Sequence, residues 1–104
     1  MIVVSSSSIA GKKIVKTVGL VRGNTIRARH VGVDIVAGLK NLVGGEIEGY
    51  TKMMAESREQ ALDRMIAEAE RQGANAIVDV RFTTSYIMSS ASEILVFGTA
   101  VVTD

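Results

Sequence analysis

Few residues in this 104-residue chain can do chemistry, and their spacing limits what that chemistry could be. The one histidine, His30, precedes Asp34 by four positions, so on a helix an imidazole and a carboxylate would share a face. That pair is the candidate metal ligand set. It offers two donors, where zinc sites take three or four. Met53 and Met54 add thioether sulfur, but a methionine pair on an apolar helix face ordinarily fills core. Cysteine is absent, which removes disulfides, thiolate metal sites and cysteine nucleophiles. Glu46 and Glu48 have the spacing of paired carboxylates, within a Gly-Gly-Glu-Ile-Glu-Gly stretch. That stretch lacks the spacing and the lysine of a phosphate-binding P-loop. No set of nucleophile, base and orienting group can be assembled, so no catalytic residue is assigned and no cofactor is expected.

Charge gives a second candidate. The net charge is only +1, but the first 40 residues carry seven basic groups against one acidic, and the remainder carry five against ten. Lys12, Lys13, Lys16, Arg22, Arg27 and Arg29 could form an anion-binding or nucleic-acid-binding surface. No aromatic residues interleave them, which disfavours single-stranded nucleic acid. Pairing of the basic and acidic halves, within or between subunits, is the simpler reading.

The elements that would position these residues centre on one long helix. Tyr50, Met54, Ala61, Met65 and Ala69 recur at threes and fours, flanked by Met53, Leu62 and Ile66. The spacing predicts an amphipathic helix over residues 50–72. Gly73 is expected to end it in a left-handed conformation. Residues 14–21 read as a first strand, and Gly23-Asn24 as a turn. Residues 31–43 read as a short helix weakened by Gly32 and Gly38. Residues 76–84 alternate, with Val78, Val80 and Phe82 expected on one face and Asp79, Arg81 and Thr83 on the other. Residues 85–92 read as a serine-rich connection, and residues 93–103 as a last strand. That strand is apolar on both faces, Ile94, Val96, Ala100 and Val102 against Leu95, Phe97 and Val101. One helix covers one face of a small sheet. Leu95, Phe97 and Val101 are therefore the expected oligomer interface.

The expected fold class is α+β, with a single domain over residues 1–104. It is a small strand–helix–strand–strand unit with a mixed sheet and one long helix on one face. The first strand and the strand after Gly73 form a crossover unit, and the last two strands an antiparallel hairpin. No apolar run reaches the length of a membrane span, and the absence of cysteine fits a cytoplasmic protein.

Val43-Gly44-Gly45, Tyr50, Arg58-Glu59, Ala61, Gly73-Ala74-Asn75-Ala76 and Gly98-Thr99-Ala100-Val101 carry a resemblance to the YbjQ-like family. It covers nearly the whole chain. The family's provisional label is heavy-metal-binding. The resemblance implies a ring of identical subunits, commonly five, with no established enzyme activity. The expectation is a homo-oligomer, a pentamer by that resemblance, that binds a small ligand or metal ion. An enzyme acting at a subunit interface, an anion-binding or nucleic-acid-binding module and a purely structural module are the alternatives.

Overall fold

The computed structural model describes residues 1–28, 48–88 and 91–104. The described elements are β1 (Ile2–Val3), β2 (Ile14–Ala28), α1 (Glu48–Arg71), β3 (Ala76–Met88) and β4 (Ala91–Thr103). The short helix expected over residues 31–43 lies outside the described residues.

The four strands form one mixed sheet in the order β1-β3-β4-β2. β4 pairs antiparallel with both β2 and β3, so β2 and β3 run parallel with β4 between them. β1 adds a parallel edge to the start of β3, pairing Ile2 with Ala76 and Val3 with Ile77. Two apolar residues cannot display a period, so β1 has no signal in the sequence.

Helix α1 lies on one face, over β2 and β4, and touches β3 only at its margin. Ala61, Met65 and Ala69 are fully buried, with Met54, Leu62 and Ile66 packed beside them. These are the residues that the helical spacing picks out. Beneath them lie Val21, Ile77, Val80, Ile94, Val96 and Ala100. The helix ends at Gly73, whose φ is +84°. Gly73 N–H donates to Glu70 O at 3.0 Å and Ala74 N–H to Ala69 O at 3.0 Å, the paired bonds of a Schellman motif. Ala69 and Ala74 both enter the core, the apolar contact that accompanies this motif.

Three local expectations are corrected. Gly23-Asn24 is not a turn, because β2 continues through it to Ala28. Gly23 is glycine for another reason. A Cβ there would sit 2.2 Å from the Ala61 carbonyl oxygen and 2.5 Å from the Met65 nitrogen. The helix backbone lies directly on the strand. The connection expected over residues 85–92 is largely strand: β3 runs to Met88 and β4 starts at Ala91. Val78 and Val80 do not share a face. The register slips between Val78 and Arg81, so Asp79 and Val80 together oppose Gly98. Asp79 takes a left-handed φ of 54° in this bulge. Val80 therefore enters the core under α1, and Val78 enters a second cluster on the opposite face.

That second cluster is Ala76, Val78 and Val101, covered by Ile2, Val4, Ile9 and Ile14. The first fourteen residues leave the β3 edge and cross this end of the sheet to the start of β2. Val4 N–H to Ile77 O at 2.9 Å, Val80 N–H to Val4 O at 3.1 Å and Asp79 N–H to Ser6 O at 2.9 Å hold the segment down.

Candidate functional site

Polar groups concentrate in two places, the seam between β2 and α1 and the uncovered part of the opposite sheet face. The seam is structural. Thr25 and Ser57 are buried at 2% and 1% exposure. Thr25 Oγ1 donates to Ser57 O at 3.2 Å, and Ser57 Oγ donates to Met53 O at 2.8 Å while accepting Arg27 Nε at 3.0 Å. Arg27 also reaches Gln60 Oε1 at 2.7 Å, and Arg64 donates to Asn24 O at 2.6 Å. Every buried side-chain polar atom among the described residues has a partner. A buried seam whose polar groups are all partnered ties the strand and helix together.

Glu68 does not pair with Arg64, four positions before it. Glu68 pairs with Arg71 and Gln72 at the helix end. Hydrogen bonds from Arg71 and Gln72, then the Arg71 charge, hold its carboxyl below the usual range. The group is exposed, so this is a helix-end contact of small energetic weight.

The uncovered face is different. Across it, Phe97 is in register with Arg22 on β2 and with Arg81 on β3. Directly opposed residues in antiparallel strands share a face, so one row reads Arg22, Phe97, Arg81. The two arginine Cα atoms lie two strand spacings apart, about 10 Å. Both arginines are exposed, and Phe97 is half-buried between them. The adjoining row is Asn24, Leu95 and Thr83, and the next holds Glu93, whose carboxylate accepts Asn24 Nδ2 at 3.1 Å.

The residues singled out in the sequence fall as follows. His30, Asp34, Arg29 and Glu46 lie outside the described residues. So do Gly44 and Gly45. Met54 lies against the core under α1. Lys12 and Lys13 are engaged at the far end of the sheet, Lys12 Nζ with Asp104 O at 3.4 Å and Lys13 N–H with Asp104 Oδ1 at 2.8 Å. Arg27 is on the helix-bearing face and Arg22 on the other, so the basic residues do not form one patch. Leu95, Phe97 and Val101 do not form one exposed patch either. Val101 is 2% exposed, buried by the chain's own amino-terminal segment. The shared face of Arg81 and Arg22 was missed. The side that the sequence pattern gives Arg81 is inverted by the Asp79 bulge, for which alternation gives no signal.

The fold defines a two-layer α+β domain with one sheet face partly uncovered and no assembled catalytic group among the described residues. A family model described as "Putative heavy-metal-binding" matches residues 1–104, and the chain belongs to that YbjQ family. It is 56% identical over 104 residues to a UPF0145 protein of Dehalococcoides mccartyi, covering 100% of both chains. It is 61% identical over 97 residues to a UPF0145 protein of Halorubrum lacusprofundi, covering 93% of each. A crystal structure of a protein of unknown function from Pediococcus pentosaceus, assigned to the DUF74 family, shares the fold. Its TM-score is 0.72 at 13% identity, covering 100% of this chain and 98% of that one.

The family description invites a test of the donor set. Soft metals favour thiolate or thioether sulfur and imidazole. This chain has no cysteine and one histidine. Among the described residues no three His, Cys, Asp or Glu side chains converge. The described donors do not fit a heavy-metal site.

Proposed function

We propose that this protein is a self-associating subunit that binds a small ligand and has no catalytic machinery of its own. The observation that carries the reading is the distal half of β3. Phe82, Tyr86, Ile87 and Met88 are 47%, 75%, 47% and 59% exposed within seven residues of one strand. Monomeric proteins seldom leave such a run of large apolar side chains in water. β3 has 13 residues, yet its backbone partner on the outer side, the amino-terminal segment, extends only to about Val80. β2 forms the other edge of the sheet and carries its own exposed apolar residues, Leu20 at 66% and Ile26 at 60%. Exposed edges of this kind pair with another chain unless something covers them.

The two ends are unlike, so joining them is a head-to-tail contact, which closes into a ring when the rotation permits. Five is the subunit count that the family resemblance implies. Ligand binding at or between subunits is the role that remains for a fold without an assembled catalytic set. Among the described residues no helix is long and apolar enough to cross a membrane. A reducing, cytoplasmic location agrees with the lack of cysteine.

The test is the native mass of tag-free protein by light scattering, followed by mass spectrometry and elemental analysis of what co-purifies. The expected result is a discrete oligomer that Tyr86→Asp and Met88→Asp dissociate. A folded monomer at micromolar concentration overturns the self-association. Stoichiometric metal lost on His30→Ala would instead establish a metal site built on the one imidazole.

A further inference from the structure

Hydrogen bonds fix the backbone polarity of both free sheet edges. Asn75 N–H donates to Val101 O at 3.1 Å, so Val101, Thr99, Phe97 and Leu95 turn their backbone groups towards β3. Their partners on β2, Leu20, Arg22 and Asn24, therefore turn theirs away from the sheet. The bond from Arg64 to Asn24 O at 2.6 Å agrees, because it reaches that carbonyl from outside. On β3, Arg81 and Thr83 turn theirs towards β4, so Phe82, Thr84 and Tyr86 turn theirs outward. Val80 N–H has the same parity and donates outward to Val4 O at 3.1 Å.

The side chains follow the same alternation. The outward-bonding residues of β2 carry theirs on the open face, since Val21 and Thr25 between them face the helix. Those of β3 carry theirs on the helix-bearing face, in step with Val80. In a parallel pair a bonding residue lies opposite a non-bonding one on the same face. In an antiparallel pair two bonding residues lie opposite each other. The two edges therefore fit in parallel with both sheets facing the same way, or antiparallel with one sheet turned over. The antiparallel fit repeats as a half-turn with translation and builds an open filament. The parallel fit repeats as a rotation and can close.

We infer that the free half of β3 adds as a parallel strand to the outer edge of β2 on a second copy of this chain. One sheet then runs on from subunit to subunit. The inference rests on the self-association reading above and gives that contact its strands and their polarity. A cavity lined by Leu20, Val21, Arg22, Asn24 and Glu68 lies along the accepting edge and leaves room for the strand. An incoming N–H takes the Asn24 carbonyl over from Arg64. α1 stands over β2, so one protomer's helix covers the partner's Phe82 and the partner's Tyr86, which their own helix leaves exposed.

Engineered cysteines test it, in a chain that has none of its own. Double variants join Thr83→Cys or Ser85→Cys on β3 to Leu20→Cys, Arg22→Cys, Asn24→Cys or Ile26→Cys on β2. Within one chain these positions are at least about 10 Å apart across β4, too far for a disulfide. Tag-free, full-length protein is oxidised and run on non-reducing gels, with circular dichroism and native mass measured for each variant. The expected result is a ladder of covalent multimers from double variants and none from single ones. The β2 position that Ser85→Cys prefers should lie two residues after the one that Thr83→Cys prefers. A preference two residues earlier means antiparallel pairing and overturns the inference. Dimers from single variants mean that like edges meet, and overturn it too. Thr84→Pro gives a second measurement, because it removes an outward N–H that only a neighbour can use. It should lower the native mass to that of a monomer with the fold retained, and an unchanged native mass overturns the paired edge. If Thr84→Pro loses the fold, the ladder decides alone. An oligomeric parent that gives no ladder sinks this contact and spares self-association. A folded, monomeric parent sinks both.

Discussion

Replacing Gly23 by alanine should be among the most damaging single-methyl additions in the described fold. The Cβ would lie 2.2 Å from Ala61 O and 2.5 Å from Met65 N, with Arg64 Cβ at 3.0 Å. Ordinary contacts are about 3.5–4 Å. The first two neighbours are helix backbone, so no side-chain rotation relieves the overlap. Relief requires α1 to lift from β2 by more than an ångström, which opens the packing of Ala61 and Met65 over Val21. Overpacking typically costs about 1–3 kcal/mol. Against this, Gly→Ala removes unfolded-state freedom and contributes about 0.4–1 kcal/mol of stability where the backbone is compatible. The net is a loss of about 1.3 kcal/mol, or a fall in Tm of about 5–10 °C for a domain of this size. Thermal and urea unfolding followed by far-UV circular dichroism would measure it, with protomer concentration held fixed because association couples to stability. A Gly23→Ala protein that melts at or above the parent temperature would refute the close approach of helix and strand.

Other substitutions probe different links. Gly73→Val should cost more than about 1 kcal/mol, from φ strain alone since nothing crowds the site. Gly73→Asn should recover part of that loss, and equal melting of the two variants would argue against a conformational cause. Ser57→Ala removes a buried hydroxyl that joins Arg27 to the Met53 carbonyl, and should destabilise by about 1 kcal/mol in urea titration. Asn75→Ala should fray the end of β4, because its amide donates to Thr103 O at 3.1 Å and accepts Thr103 N–H at 2.8 Å. Faster amide exchange at Thr103 would report it. The lowered Glu68 carboxyl adds stability above the ordinary glutamate pKa, which is lost as pH falls through the lower folded value. Glu68→Gln should erase that small acid-side slope, and added salt should shrink it.

The helix was legible because its buried face, Ala61, Met65 and Ala69, repeats with the helical period and stops at a glycine. The two faces of β4 were legible for the same kind of reason. The faces of β3 were not, because the bulge depends on the left-handed Asp79 and on bonds to an amino-terminal segment distant in sequence. Gly23 misled because glycine gives one signal for two causes, a turn or a close backbone approach. Residues 85–88 and 91–92 misled because serine is common in loops, while here cross-strand pairing between β3, β4 and β2 holds those positions extended. The opposite-face row was the least legible. Arg22 and Arg81 belong to different strands, and their places in one row with Phe97 need the register of both.

The order of strands has a consequence for how the chain acquires its shape. β4 lies between β2 and β3 and is made after both. During synthesis, neither earlier strand has its antiparallel partner, and Val21, Ile77 and Val80 have no sheet to complete. Formation of the core therefore waits on the final segment, whose pairings with β2 span most of the sequence. A ribosome-bound chain halted before residue 91 should remain open to protease and chaperone along β2, whereas α1 can already coil as a nascent helix.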